Sequence, residues 1–491
     1  MSYKNFEQNG RLVIIDVASD LFSDISTSNT EKGAIKMAIA ASDPAVYLYK
    51  KKEFLPKADR TLYNMPFLFF ADGLPWIEAN SYLTHLVQYK NPSQRPTDHA
   101  RKCASRLLDY KIFCERNNLD WLDFSGKRPS HRPSYKYFKR MIDAGERGPA
   151  VINQYTGVIY DFYKFVSKHW HDIDIDRVDT VRDIRILVSS ERGSKIINAV
   201  KRSQTKATPP SSPVEMGFVR DGGEDLRPLT NSQLSEFTDI IKGKSWSIQE
   251  YLIMQLALFT GARKQSVLTL RMKHLKAFNE ESLNADGTYT VHAGPGTGVD
   301  TKFNKKQQLY IPKQLAEDIL VFAMSRAAKT RRKKFVDKYK KEFPDLLVPN
   351  DEDIYIFLSD QANCYYMSKD DSRYPIVKSP QTGQVTDTLK RKLFKLASAD
   401  FPKDFTYHWL RATYAYQYYQ WLLPHVDSGE ITLTDQMSMV QRRLHHRSRE
   451  TTEHYLKLFN NVNEKMAAQE LFEQELFGDL KLIMEAGDYG Q

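Results

Sequence analysis

Three short segments in the second half of the chain set the strongest requirement on its fold. Residues 260–263 (Thr-Gly-Ala-Arg) and 408–411 (His-Trp-Leu-Arg) each end on an arginine. The third segment, 444–455, has His446 nine residues before Tyr455. Taken alone, this third segment is typical of a polar surface stretch beside a helix. Together the three supply two arginines, two histidines and a tyrosine, which can form one site only if distant parts of the chain meet.

These residue types suit attack on a phosphodiester. A tyrosine hydroxyl can be the nucleophile, although its ordinary pKa of about 10 requires a nearby base or positive field. The planar guanidinium groups of Arg263 and Arg411 match phosphate oxygens and stay charged. His408 lies three residues before Arg411, hence on the same helix face about one turn away, so both can reach one phosphate.

In order and spacing, these segments resemble the tyrosine recombinases of the phage-integrase type. The resemblance rests on the motifs at 260–263 and 408–411, on the Ala-Thr pair that follows the second, and on the step from His446 to Tyr455. It implies a site-specific recombinase that cleaves and rejoins DNA through a 3′-phosphotyrosine intermediate, for integration or excision. The implied catalytic set has Tyr455 as its nucleophile: Arg263, Lys302, His408, Arg411, His446 and Tyr455.

The resemblance assigns a role to each remaining member of the set. His408 would shuttle the tyrosine proton, His446 would donate a hydrogen bond to the phosphate, and a lysine would protonate the leaving 5′ oxygen. Family members have this lysine in a β-hairpin. Here Lys302 fits best, after Thr301 and between two strand-like runs, with Lys305 as the second choice.

Two positions depart from the family pattern. Ser266 stands where many members have an acidic residue three positions after the first arginine, and His445 stands where a glycine commonly precedes the last histidine. Serine can still form hydrogen bonds. The nine-residue step to Tyr455 fixes His446 as the member of the set. Both departures put full activity in question.

Composition limits the class of protein without defining it. The net charge of +10 and pI near 9.1 favour a polyanionic partner only weakly. Three scattered cysteines form neither a disulfide framework nor a metal-ligand cluster, and no apolar run approaches the 18–20 residues of a membrane span. We expect a soluble, cytoplasmic, nucleoid-associated protein with no metal and no cofactor.

A chain of 491 residues is expected to form two to four domains. The predicted fold class is mainly α with a small β-sheet (α+β). Residues 1–74 form an accessory region, either contacting DNA or packed on its neighbour, and 75–200 show the spacing of four amphipathic helices. Residues 201–227, rich in Pro, Ser and Gly, predict a linker, and 228–491 the mixed α/β catalytic domain. The resemblance implies a helical core-binding domain that completes a C-shaped DNA clamp.

The resemblance implies double-stranded DNA as partner, a homo-tetramer acting on two duplexes, and accessory DNA-bending or mobile-element proteins. Two basic helices are candidates for DNA contacts, although such runs are also typical of solvated faces. The apolar stripe at 471–483 either packs on its own domain or, as in the family, docks on a neighbouring subunit. The candidate DNA-binding residues are Lys136, Lys139, Arg140, Arg331, Arg332, Lys333 and Lys334.

Other functions fit parts of the pattern. The same chemistry serves type IB topoisomerases and hairpin telomere resolvases, and exchange of strands between two DNA molecules separates these from a recombinase. A non-catalytic DNA-binding relative could keep the clamp, but a binder has no need of Tyr455. A basic scaffold with chance motifs is disfavoured because four matches occur in the family's order.

Overall fold

A computed structural model describes residues 10–18, 61–90, 94–190, 193–207, 214–215, 217–221, 223–446 and 450–459. The chain forms two compact units: residues 1–211 with 375–378, and residues 212–374 with 379–491. Each unit has its own hydrophobic core. The apolar stripe predicted at 471–483 lies outside the described residues.

The first unit combines a helical bundle with one antiparallel strand pair and one hairpin. Strand β1 pairs with β2, and β3 pairs with β4. A short π-helical turn, Leu86–Lys90, follows the first helix. The elements in chain order are β1 (Leu12–Ala18), β2 (Leu62–Leu68), α1 (Ile77–His85), α2 (Thr97–Arg116), α3 (Pro133–Ala144), α4 (Pro149–His169), α5 (Ile175–Val178), β3 (Val181–Ser190) and β4 (Gly193–Arg202).

Aromatic packing holds the first unit together. Trp76, just before α1, lies 5.3 Å from Trp121 and 5.4 Å from Phe162 on α4, measured between ring centroids. Such edge-to-face contacts add to the free energy of burying the rings. The β1–β2 pair joins the same core through the buried face of β2, and Arg11 forms two hydrogen bonds of 2.8 and 2.9 Å with Glu115 on α2.

The second unit is a helical layer with two small hairpins, β5–β6 and β7–β8. Residues 450–459 are also helical. The elements in chain order are β5 (Val219–Asp221), β6 (Glu224–Leu226), α6 (Asn231–Lys242), α7 (Ile248–Thr260), α8 (Lys264–Leu268), β7 (Thr288–Ala293), β8 (Gln307–Pro312), α9 (Lys313–Met324), α10 (Arg326–Glu342), α11 (Val385–Phe394), α12 (Trp409–Asp427) and α13 (Leu433–Leu444).

Helix ends follow local sequence signals. A capping box begins α6, with Thr230 and Gln233 bonding each other's backbone N–H groups, which satisfies donors that helix geometry leaves free. Helix α7 ends at Gly261, whose φ of 62° is left-handed. The turn there lets the chain reverse into α8 after Arg263. The central core of the unit forms around the apolar face of α7 and the start of α12.

The predicted fold class is confirmed: the described chain is mainly α-helical, with small two-stranded antiparallel sheets. Residues 354–359 make isolated bridges through Tyr355 and Leu358. One local prediction differs from the structure. The stretch predicted as a linker contains the β5–β6 hairpin, because Val219 and Leu226 are buried in the core of the second unit. Within the described residues, no helix has the length and apolarity needed to cross a bilayer.

Candidate active site

Five of the six predicted catalytic residues surround a carboxylate that sequence reasoning did not select, that of Asp221. Five groups face its Oδ2 atom. Arg411 Nε lies at 2.9 Å and Arg263 Nη2 at 3.2 Å. The Tyr455 hydroxyl lies at 3.5 Å. The Nε2 atoms of His408 and His446 lie at 3.9 and 4.0 Å.

Arg411 is the most deeply held member of this cluster. It lies in the first turn of α12, and its side chain is 4% exposed. Besides Asp221, its guanidinium donates to the carbonyl oxygen of Gly261 at 2.8 Å and to that of Leu444. The end of α7, the start of α12 and the end of α13 therefore share one guanidinium, which fixes its plane.

Arg263 follows the left-handed turn at Gly261 and precedes α8. A side chain on Gly261 would collide with Tyr414, because its Cβ would lie 2.6 Å from the ring atom Cδ1. Arg263 donates to both carboxylate oxygens of Asp221. Burial, and next the charge of Arg411, lower the pKa of Arg263, whereas Asp221 acts in the opposite direction.

His408 caps the start of α12 and lies between two carboxylates. Its Nδ1 atom is 3.4 Å from Oε2 of Glu224, while Nε2 faces Asp221. The hydrogen bond from His408 lowers the pKa of Glu224. A carboxylate at Nδ1 orients the ring, so that Nε2 faces the centre of the cluster.

Tyr455 is fully buried in the helical segment 450–459. Its ring packs 5.0 Å from that of His446 and 5.9 Å from that of Phe459, centroid to centroid. Burial raises the pKa of Tyr455 well above its usual value, and the charge of Asp221 raises it further. The two arginines act against this shift.

His446 is held by a residue from the helical segment 450–459. Its Nδ1 atom lies 3.1 Å from the buried hydroxyl of Thr452. Burial, followed by the charge of Arg411, lowers the pKa of His446 to about 3. A neutral imidazole that accepts the threonine hydroxyl at Nδ1 has its proton on Nε2, which faces Asp221.

The two departures from the family pattern have structural explanations. His445 adopts the left-handed conformation, with φ 53°, at the end of α13. This is the conformation that glycine adopts most easily, and a 2.7 Å contact between His445 Nε2 and the Gln308 carbonyl oxygen holds it. Ser266 donates to the carbonyl oxygen of Asp300 at 2.8 Å, which ties α8 to the turn before Lys302.

Lys302 lies in the connection between β7 and β8. It lines a groove of about 340 Å³ together with Arg263 and His408. Lys264 and Lys390 line the same groove, so several cationic side chains border it. Lys305 is not among the residues that line this groove.

The seven candidate DNA-binding residues divide by their surroundings. Lys139, Lys333 and Lys334 are exposed, and Lys136 is half-buried. Arg140 stacks on the ring of Phe113, with its guanidinium carbon 5.6 Å from the centroid.

Two arginines of α10 have protein partners. Arg331 donates to Asp360 at 2.6 and 2.8 Å. Arg332 is buried and donates to the Ala323 carbonyl oxygen at 2.8 Å.

Sequence reasoning missed Asp221, Glu224 and Thr452. The first two lie in the acidic run around Gly223, where paired glycines between apolar residues are also a hairpin signal. For Thr452 the sequence offered no signal beyond a hydroxyl near the tyrosine. Among the described residues, no group of three or more His, Cys, Asp or Glu side chains is arranged to hold a metal ion.

No protein-family model matches the sequence, and a search of curated proteins gives no match. Solved structures of tyrosine recombinases are similar to most of the chain at low identity. One is the XerH site-specific recombinase bound to its difH substrate in a pre-cleavage complex. It is 15% identical over 73% of this chain and 77% of that chain, with a TM-score of 0.37.

Two further solved structures show similar values. The Tn1549 transposon integrase in complex with circular intermediate DNA is 13% identical over 77% of this chain and 94% of that chain, with a TM-score of 0.38. A lambda integrase dimer bound to a COC′ core site is 13% identical over 77% of this chain and 93% of that chain, with a TM-score of 0.36.

Proposed function

We propose that the second unit is a tyrosine-type DNA strand transferase, which cleaves and rejoins DNA through a 3′-phosphotyrosine and so performs site-specific recombination. One observation carries the proposal. A phenol, two guanidinium groups and two imidazoles all face a single acidic oxygen, Oδ2 of Asp221, at distances from 2.9 to 4.0 Å. A negatively charged oxygen of a phosphodiester can accept hydrogen bonds from the same guanidinium and imidazole groups.

The buried nitrogens of the cluster also favour phosphate as its ligand. Within the part of the chain that the structure describes, three of them have no hydrogen-bond partner: Arg263 Nε, His408 Nε2 and His446 Nε2. A buried donor without a partner costs roughly 1–3 kcal/mol. A phosphodiester has four oxygens around phosphorus and can engage more of these groups than a carboxylate can.

In the proposed reaction, the oxygen of Tyr455 attacks phosphorus and displaces the 5′ oxygen of the next nucleotide. The tyrosine proton passes to His408, and the ammonium group of Lys302 supplies a proton to the 5′ oxygen. The products are a 3′-phosphotyrosine ester and a free 5′ hydroxyl. Because the ester retains the phosphodiester's bond energy, a 5′ hydroxyl can reverse the reaction without ATP.

Arg263, Arg411 and His446 would stabilise charge on the non-bridging oxygens. They contribute most when they are already oriented in a site from which water is excluded. The bonds from Arg411 to two carbonyl oxygens and from Thr452 to His446 provide that orientation. Exposed lysines such as Lys139, Lys333 and Lys334 would contact other phosphates of the DNA.

The test is formation of a covalent adduct. Purified protein is incubated with nicked duplexes that contain the DNA flanking its own coding sequence, and SDS-resistant complexes are mapped by mass spectrometry. An adduct on Tyr455 that is absent from Tyr455→Phe and present in Tyr310→Phe supports the proposal. An adduct on another residue would overturn the nucleophile assignment.

A second substrate separates recombination from the other functions with the same chemistry. Two duplexes with different labels should exchange strands, which requires four cleavages and therefore four copies of the site. Relaxation of supercoils without exchange would indicate a topoisomerase. Tight, salt-sensitive binding without any adduct would indicate a non-catalytic DNA-binding protein.

A further inference from the structure

The carboxylate of Asp221 lies where the proposed substrate must bind. It accepts hydrogen bonds from Arg263 and Arg411, the two groups proposed to hold the scissile phosphate. Its side chain is 8% exposed. A phosphate cannot occupy the same space, so the arrangement seen here and a loaded site exclude each other.

Asp221 is unsuited to a role in the reaction itself. A carboxylate beside a bound phosphodiester would repel it, and would weaken both arginines as partners for the phosphate. It also raises the pKa of Tyr455, which disfavours loss of the phenolic proton. Each of these effects slows attack on phosphorus.

The carboxylate is a partial match for the anion that the site would accept. It has the negative charge and two oxygens, which satisfy the two guanidinium groups. It leaves the Nε2 atoms of His408 and His446 without hydrogen bonds, at 3.9 and 4.0 Å. A site built for Asp221 alone would have no need of these two imidazoles.

The β5–β6 hairpin delivers Asp221 to this position. Val219 and Leu226 anchor the hairpin in the core. Its outer edge is held by polar links: a partly exposed, bidentate ion pair between Arg220 and Asp225 with distances of 2.6 and 2.7 Å, and a 3.2 Å hydrogen bond from Trp409 Nε1 to the Asp225 carbonyl oxygen. Because the anchors in the core are Val219 and Leu226, the Asp221 carboxylate can leave the two arginines while these anchors stay in place.

We propose that Asp221 is an internal substrate mimic: its carboxylate occupies the phosphate position between Arg263 and Arg411 and keeps the site inactive until a DNA phosphate displaces it. This regulation rests on the proposed phosphodiester chemistry. Because the carboxylate is part of the same chain, its local concentration is high. A phosphate wins only when many other contacts hold the DNA in register, which restricts cleavage to correctly bound sites.

Asp221→Asn tests the mimic, since it removes the charge and keeps the shape. In the adduct assay on nicked duplexes, the initial rate should rise about tenfold or more relative to the native chain, because the fraction of open sites increases. Asp239→Asn is the matched control: it removes an exposed carboxylate on α6 and should leave the rate unchanged. A rate for Asp221→Asn equal to or below that of the native chain would overturn the proposal.

Phosphate binding gives a readout that does not depend on activity. Inorganic phosphate should raise the melting temperature of Asp221→Asn by several degrees relative to sodium chloride of equal ionic strength. The native chain and Asp239→Asn should show no such difference. If phosphate has no specific effect on Asp221→Asn, its arginines are not an open anion site and the proposal is wrong.

The two readouts separate failure of the mimic from failure of the proposed function. Absence of adducts from every variant, together with phosphate stabilisation of Asp221→Asn, would reject the strand-transfer chemistry and keep Asp221 as the occupant of an anion site. If Asp221→Asn does not fold, hydrogen exchange on the native chain decides. The amides of β5 and β6 should exchange faster in the covalent adduct than in the free protein, and equal exchange would overturn the proposal.

Discussion

The hydroxyl of Tyr455 lies 3.5 Å from Oδ2 of Asp221, so the candidate nucleophile faces an anion where the proposed reaction places its target. Both residues are buried, although they are 234 positions apart in the chain. Contact between residues so far apart in sequence requires the β5–β6 hairpin and the helical segment 450–459 to pack on the same pair of arginines. The site can therefore be tested through either residue.

Tyr455→Phe should abolish adduct formation while leaving the fold and DNA affinity nearly unchanged. The hydroxyl makes one long hydrogen bond to a carboxylate that keeps two arginine partners. We expect a loss of about 1 kcal/mol or less in the free energy of unfolding. DNA affinity should change by about twofold or less, because many phosphate contacts share the binding. Urea unfolding and gel-shift titration measure the two quantities, and a large loss of either would mean that the tyrosine is structural.

Arg411→Ala and Arg263→Ala should both slow cleavage on the order of 100-fold or more, but they should differ in stability. Removal of Arg411 leaves two carbonyl oxygens and a buried carboxylate short of a partner, which costs about 3–5 kcal/mol. Arg263 is more exposed and is bonded to Asp221 alone among the contacts described, so its loss should cost about 2 kcal/mol.

Urea unfolding ranks the two arginine variants, and Arg220→Ala is the control for loss of a partly exposed ion pair. We expect that control to change stability less than either of the other two variants does. Arg411→Lys should not restore cleavage, since an ammonium group cannot reach two carbonyl oxygens and a phosphate from one position. Equal stability of the two alanine variants would show that the carbonyl contacts of Arg411 contribute little.

How far the sequence predicts this site differs from residue to residue. The turn at Gly261 and the spacing of His408 and Arg411 are local signals, and the structure brings these residues together as the motifs implied. Asp221 depends on a three-residue strand and on burial of Val219 and Leu226. Paired glycines favour a linker as much as a hairpin, so only packing in the second unit decides between them.

The basic helix α10 is a second case in which the sequence predicts the element but not the surroundings of its side chains. Its sequence indicates a helix with many cations, and the helix spans Arg326–Glu342 as expected. Which cations face inward depends on the surface that the helix packs against. Arg332 turns into the core and bonds a carbonyl oxygen, whereas Lys333 and Lys334, one and two positions later, are exposed. A run of charges alone cannot make that distinction.

The protein should lose stability as pH falls from about 6.5, because burial lowers the pKa of several histidines, two of which lie in the site. Burial lowers the pKa of His446 to about 3 and that of His445 to about 4. Between these values and 6.5, the unfolded chain binds protons that the folded chain does not, so acid favours unfolding. Each such proton contributes a slope of about 1.4 kcal/mol per pH unit.

Urea unfolding at several pH values between 7 and 4.5 measures that slope. His446→Asn should make it less steep, since one of the histidines that link stability to pH is gone. His292→Asn, at an exposed position on β7, is the matched control for loss of a histidine. If His446→Asn and His292→Asn give the same slope as the native chain, burial of His446 is not what links stability to pH.

Gly261→Ala should destabilise the protein more than Gly145→Ala, although both glycines end a helix with φ near 62°. Alanine in this left-handed conformation costs about 1 kcal/mol at either position. At Gly145 the new Cβ meets open space, whereas at Gly261 it would lie 2.6 Å from Tyr414, which adds about 1–3 kcal/mol of overpacking. Because the carbonyl of Gly261 holds Arg411, Gly261→Ala should also slow adduct formation, and Gly145→Ala should not. Equal unfolding free energies for the two variants would show that the contact between α7 and α12 adjusts without an energetic cost. Equal rates of adduct formation would show that the turn does not position the arginine.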